Sequence, residues 1–83
     1  MNPGYHLTEI PKGKIGEASK ILEEAQELMD ADAQGVRVMQ LVELSDLVGA
    51  IDLYMERKFA DFSIDDLLQM SRVTRRAFEN GHR

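Results

Sequence analysis

The sequence predicts an all-α fold: an antiparallel helical bundle of about three helices per chain, completed by oligomerisation. Three observations predict it. Apolar residues recur at helical spacing in three separate stretches. Both prolines fall within the first 13 of the 83 residues, leaving the rest free of helix breakers of that kind. The middle stretch is apolar around so much of its circumference that one small chain cannot cover it.

Residues 1–13 read as an irregular arm, with a weakly alternating extended piece over residues 5–10. Residues 14–83 form a single helical domain. The first helix is expected over residues 14–31, with Ile15, Ala18, Ile21, Leu22, Ala25, Leu28 and Met29 on its apolar face. The segment from Asp30 to Gly35 supplies the turn, with Asp32 as N-cap of the second helix. That helix runs from about residue 33 or 36 to residue 58. Its apolar side chains flank Glu43 and Asp46 on both sides, and its polar arc carries Ser45, Asp52 and Glu56 roughly opposite. The third starts at Ser63, where Ser63 and Asp66 resemble a capping box, and ends near Asn80 and Gly81.

A chain of 83 residues is one domain, small enough that a monomer has little core to rely on. Without cysteine it has neither disulfides nor a zinc–thiolate site, which fits a reducing cytoplasm. The first residues lack a basic start and apolar run, so no secretory signal is expected. No apolar stretch approaches the ~20 residues of a membrane span. Net charge is −5, from 15 acids against 10 bases, which argues against duplex nucleic acid as a partner. The bases are uneven: Arg72, Arg75, Arg76 and Arg83 gather at the end of the chain. A small polyanion, bridged through metal to the acids and touched by those arginines, fits this layout.

The chemistry is carried by acids. Glu24 with Glu27, and Glu43 with Asp46, stand three residues apart, so each pair shares one side of its helix. Acids at such spacing commonly make only a solvated face. Glu43 and Asp46 differ because they sit in the most apolar helix, with Met39 and Ala50 on the same side. If the two pairs face each other, four carboxylates converge, and a hard divalent cation is the simplest compensation. Oxygen-only ligation points to Mg²⁺, with Mn²⁺ as a substitute. On a helical wheel Glu23 lies furthest from the packed side, either facing solvent or supporting the ligands from behind. Lys20 projects between Glu24 and Glu27, one turn earlier, able to neutralise an acid or reach a phosphate. Cations near a helix end, such as Arg75 and Arg76, are also favoured by the helix dipole. His6 and His82 read as surface residues in end segments, and Tyr5, Tyr54 and Phe78 as packing residues.

In these residues the chain resembles the MazG-type nucleoside triphosphate pyrophosphohydrolases of the all-α NTP pyrophosphatase superfamily. Their pattern is two adjacent glutamates, a third glutamate three residues on, a spacer, and Glu-x-x-Asp. Glu23-Glu24-Ala25-Gln26-Glu27 matches the first half and Glu43-Leu44-Ser45-Asp46 the second, within a resemblance that covers about residues 14–58. Its short length and ending resemble small stand-alone members frequent in phage genomes. The resemblance implies a dimer or tetramer of antiparallel helices, with Mg²⁺ held by Glu24, Glu27, Glu43 and Asp46 and Glu23 in support. It also implies hydrolysis of an NTP or dNTP between the α- and β-phosphates, giving the monophosphate and pyrophosphate. Lys20, Arg75 and Arg76 are candidates for phosphate contact, and Glu24 or Glu27 for accepting the proton of the attacking water.

Three rivals stand beside this expectation. A di-iron carboxylate bundle wants Glu-x-x-His pairs, which neither His6 nor His82 completes. Related hydrolases of the same superfamily, acting on dUTP, dCTP or phosphoribosyl-ATP, would use the same acids. A catalytically inactive helical interaction module of the same fold would show no response to Mg²⁺.

Overall fold

The computed structural model describes residues 6–81. It contains three helices, α1 (Ala18–Gln34), α2 (Arg37–Lys58) and α3 (Ile64–Glu79), and no strand among the described residues. The all-α expectation holds. The extended piece expected over residues 5–10 does not form a strand in its described part, and Tyr5 lies outside the described residues.

α1 starts four residues later and ends three later than the periodicity suggests. Gly16 occupies the left-handed region at φ 85°, and a Lys14–Glu17 turn closes with a 3.0 Å backbone hydrogen bond, so the helix cannot begin before Ala18. At the other end Asp30 to Gln34 stay helical. Gly35, at φ 70°, ends the helix by donating its N–H to the carbonyls of Ala31 and Asp32. Asp32 therefore caps nothing: Val36 is the N-cap of α2, and the Asp32 carboxylate accepts from Gln40 Nε2 at 2.8 Å across the turn.

With only Gly35 and Val36 between them, α1 and α2 fold back as an antiparallel hairpin. Its open end is tied by Arg57 Nη1 to Glu17 Oε2 at 3.4 Å. The interior of the hairpin is unusual. Among the described residues only Ala31 and Ala50 are buried apolar residues, while Glu23, Glu24, Asp30 and Glu43 are all buried. The large side chain sealed most completely from solvent is Glu43, at 0% exposure.

α3 opens with the expected capping box. The Asp66 N–H donates to Ser63 Oγ at 3.2 Å, and the Ser63 N–H donates to Asp66 Oδ2 at 2.8 Å. It packs on α2 alone, over an apolar cavity of about 230 Å³ lined by residues including Met55, Phe59, Phe62, Leu67 and Met70. Large apolar side chains remain on the surface of all three helices, among them Leu22, Met29, Leu41, Val48, Val73 and Phe78. No helix among the described residues is long and apolar enough to cross a membrane.

Candidate metal centre

The hairpin register brings the two acid pairs together. One carboxylate oxygen from each of Glu24, Glu27, Glu43 and Asp46 lies within 4.8 Å of those of the other three. Glu24 and Glu43 are buried between the helices, Glu27 is half-buried, and Asp46 sits on the exposed side of the cluster. The cluster thus has a closed floor and one open side.

Its electrostatics are strained. Burial, and then the neighbouring carboxyls of Glu24 and Glu43, push the Glu27 carboxyl up to about 8. Burial and the same two neighbours raise Asp46 as well, against a smaller opposing effect of Lys20. Lys20 supplies positive charge from one turn earlier, with Nζ 3.1 Å from Glu24 Oε1 and 3.2 Å from Glu23 Oε1. Contact with Glu24 is the main reason its ammonium is held above the ordinary lysine value, against the opposing effect of burial.

Glu23 is neither a member of the quartet nor exposed to solvent. It is 2% exposed, capped by the arm: the Gly13 N–H donates to its Oε1 at 2.8 Å, and Lys12 Nζ lies 3.5 Å from its Oε2. Burial pushes its carboxyl up, but the Gly13 N–H, Lys20 and Lys12 together outweigh that and hold it below the usual range. Glu23 thereby holds Lys20 beside Glu24 and does not face solvent.

The oxygen that decides how the cluster reads is Glu24 Oε2, which is buried without a hydrogen-bond partner. A buried ionised carboxylate in that state is costly unless a proton or a cation satisfies it. Four convergent carboxylates, one of them with an unpartnered buried oxygen, could hold a divalent cation by position and by donor chemistry. Comparison with protein-family models, curated proteins and solved structures finds no match to this chain.

His6 is the residue that sequence reasoning missed. Its place in an end segment predicts the surface; instead its side chain is 11% exposed, with Nε2 3.9 Å from both Glu27 Oε1 and Glu43 Oε1. The arm is clasped by Asp30, whose carboxylate accepts from the Leu7 N–H, the Thr8 N–H and Thr8 Oγ1, each at 2.8 Å. Gln34 Nε2 donates to the same carboxylate at 2.9 Å. The Leu7 N–H, followed by the contacts from Thr8 and Gln34, outweighs burial and holds Asp30 well below the usual carboxylate range. A buried acid beside Ala31, one turn beyond Glu27, was the available signal, but nothing local to residue 6 announces its partner. His82 lies outside the described residues.

The structure does not bring the arginines of α3 to the acids within one chain. Arg75 and Arg76 are exposed on a helix that touches α2 alone, and Arg75 lies 3.9 Å from its own neighbour Glu79. Of the three basic candidates, Lys20 is the one at the cluster.

Proposed function

We propose that the chain is a Mg²⁺-dependent nucleoside triphosphate pyrophosphohydrolase, cleaving NTP or dNTP between the α- and β-phosphates to the monophosphate and pyrophosphate. The observation that supports it most is the convergence of Glu24, Glu27, Glu43 and Asp46 on one point around a fully buried glutamate. The resemblance of those residues to the MazG-type pattern supplies the substrate class. Mg²⁺, or Mn²⁺ in its place, would be held by the four carboxylates and would neutralise phosphate oxygens and acidify a bound water.

The chain's own groups do the rest. Asp46, on the open side, leaves room for a phosphate to reach the site. Lys20, fully protonated, is positioned to meet phosphate charge from the α1 side. Glu27, whose carboxyl burial and then the neighbouring Glu24 and Glu43 push up to about 8, or Glu24, with its unsatisfied oxygen, would in its ionised form accept the proton of the attacking water. Arg75 and Arg76 could serve only a neighbouring copy's site.

We infer a homo-oligomer, a dimer or tetramer, whose second copy covers the exposed apolar faces. With Ala31 and Ala50 as the buried apolar residues, the hairpin has almost no core of its own. A cytoplasmic setting, where nucleotides are abundant, goes with this reading. The same exposed faces support the rival reading, an inactive helical interaction module of the same fold.

Pyrophosphate release, screened over the common NTPs and dNTPs with and without Mg²⁺, tests the proposal. Activity that needs Mg²⁺ and is lost in Glu43→Gln and Asp46→Asn supports it. No release from any triphosphate, in a protein that Mg²⁺ does not stabilise, leaves the interaction module.

A further inference from the structure

The arm reaches the acid cluster with a nitrogen. His6, Glu27 and Glu43 each offer one ligand atom, and those atoms lie within 4.8 Å of one another, a second set that shares two members with the quartet. We propose that His6 Nε2, Glu27 and Glu43 form an imidazole-bearing cation position, adjoining the four-carboxylate position and suited to a divalent ion that accepts nitrogen, such as Mn²⁺ or Zn²⁺. The inference deepens the proposed function and rests on the same reading of Glu27 and Glu43 as ligands.

The spacing carries it. His6 Nε2 stands 3.9 Å from an oxygen of each glutamate, beyond hydrogen-bond length to either. Two ligands bound ~2.1 Å from one ion at ordinary coordination angles lie roughly 3–4 Å apart. Glu43 is sealed from solvent, Glu27 is 13% exposed and His6 11%, so all three groups are withdrawn from the water that would otherwise solvate them. Imidazole favours zinc and its first-row neighbours, whereas an all-carboxylate site favours magnesium.

The arm is held in the way a ligand-bearing arm must be. Asp30 grips the backbone N–H groups of Leu7 and Thr8, the two residues directly after His6, together with the Thr8 hydroxyl. Its Oδ1 also lies 3.7 Å from His6 Nδ1, on the far edge of the ring from the glutamates. That separation is longer than a hydrogen bond, so Asp30 holds His6 in place through the backbone of Leu7 and Thr8.

Electron spin-echo spectroscopy of Mn²⁺ bound to the full chain reads nitrogen ligation directly. The expected result is nitrogen modulation in the wild type, absent in His6→Ala, which still binds Mn²⁺ through the carboxylates. Zn²⁺ calorimetry should show His6→Ala weakened by at least about tenfold, while Mg²⁺ binding changes by less than about threefold. Asp46→Asn should keep the nitrogen modulation, because Asp46 is not in the His6 set. Asp30→Ala should reduce it by freeing the arm, with helicity by circular dichroism unchanged. Bound Mn²⁺ without nitrogen modulation in the wild type overturns the His6 inference and leaves the four-carboxylate reading standing. A protein that binds neither Mn²⁺ nor Mg²⁺ overturns both.

Discussion

Lys20 Nζ sits 3.1 Å from Glu24 Oε1, one helical turn away, and so adds its positive charge to the acid cluster. Replacing it separates two roles. Lys20→Met removes charge that offsets the quartet, so the metal-free protein should melt a few degrees lower, and Mg²⁺ should raise its melting temperature more than it raises that of the wild type. If Lys20 also meets phosphate, KM for the triphosphate rises in the same variant. Melts with and without Mg²⁺, paired with steady-state kinetics, check both.

Glu43 should show a trade between stability and function. Glu43→Gln takes a buried carboxylate out of the cluster while keeping the shape of the side chain, so the metal-free variant should be more stable than the wild type by about 1–3 kcal/mol. It should lose the stabilisation by Mg²⁺ and any pyrophosphate release. Chemical denaturation with and without the ion is the measurement. A metal-free Glu43→Gln less stable than the wild type would mean that the buried carboxylate is already well satisfied.

The acid cluster gives the metal-free protein an inverted pH dependence. The Glu27 carboxyl stands near 8 in the folded chain against 4.5 in the unfolded, so the folded state binds more protons between those values. That contribution is fully present below 4.5 and is lost as pH rises through 8; Asp46, also raised, acts in the same direction. Glu23 and Asp30, both held low, act oppositely, contributing above their unfolded values and losing that contribution as pH falls through their folded values. The metal-free chain should therefore be most stable near about pH 5 and weaken toward pH 8. Glu27→Gln should flatten the neutral part of that profile, and saturating Mg²⁺ should remove it. Thermal melts across pH, run in chelator and in Mg²⁺, measure it.

Removing the Asp30 clasp should free the arm without unfolding the hairpin. In Asp30→Ala the amides of Leu7 and Thr8 lose their acceptors, so their hydrogen exchange should speed up by an order of magnitude or more. Amides within α2 should change far less. Residue-resolved exchange by NMR distinguishes this from a general loss of structure.

The exposed apolar face of α2 should be an interface between copies. Leu41, Leu44 and Val48 lie on one stripe of the helix and are all exposed in the single chain. Light scattering should give a mass at least twice the 9.4 kDa of the chain, and Leu44→Glu should lower it toward that value with loss of thermal stability. A stable wild-type monomer would contradict the inference.

What the sequence determined by itself was whatever depends on neighbours along the chain. Three helices, the Ser63–Asp66 capping box and the spacing within each acid pair follow from a turn or two of chain. The two-residue link that makes the pairs face each other emerges only in the structure, since periodicity places the turn over residues 30–35. The late start of α1 was also local, since Gly16 stands where a helix would have to pass, although apolar periodicity alone ran through it. Only the tertiary structure decided that His6 meets Glu27 and Glu43, that Glu23 is roofed by Gly13 and Lys12, and that Arg75 and Arg76 stay away. Those contacts join segments far apart in sequence, and they form because Asp30 and Glu23 offer buried carboxylates that the arm's N–H groups can satisfy. No periodicity encodes which backbone amide will answer a distant acid; that is settled when the hairpin closes and water leaves.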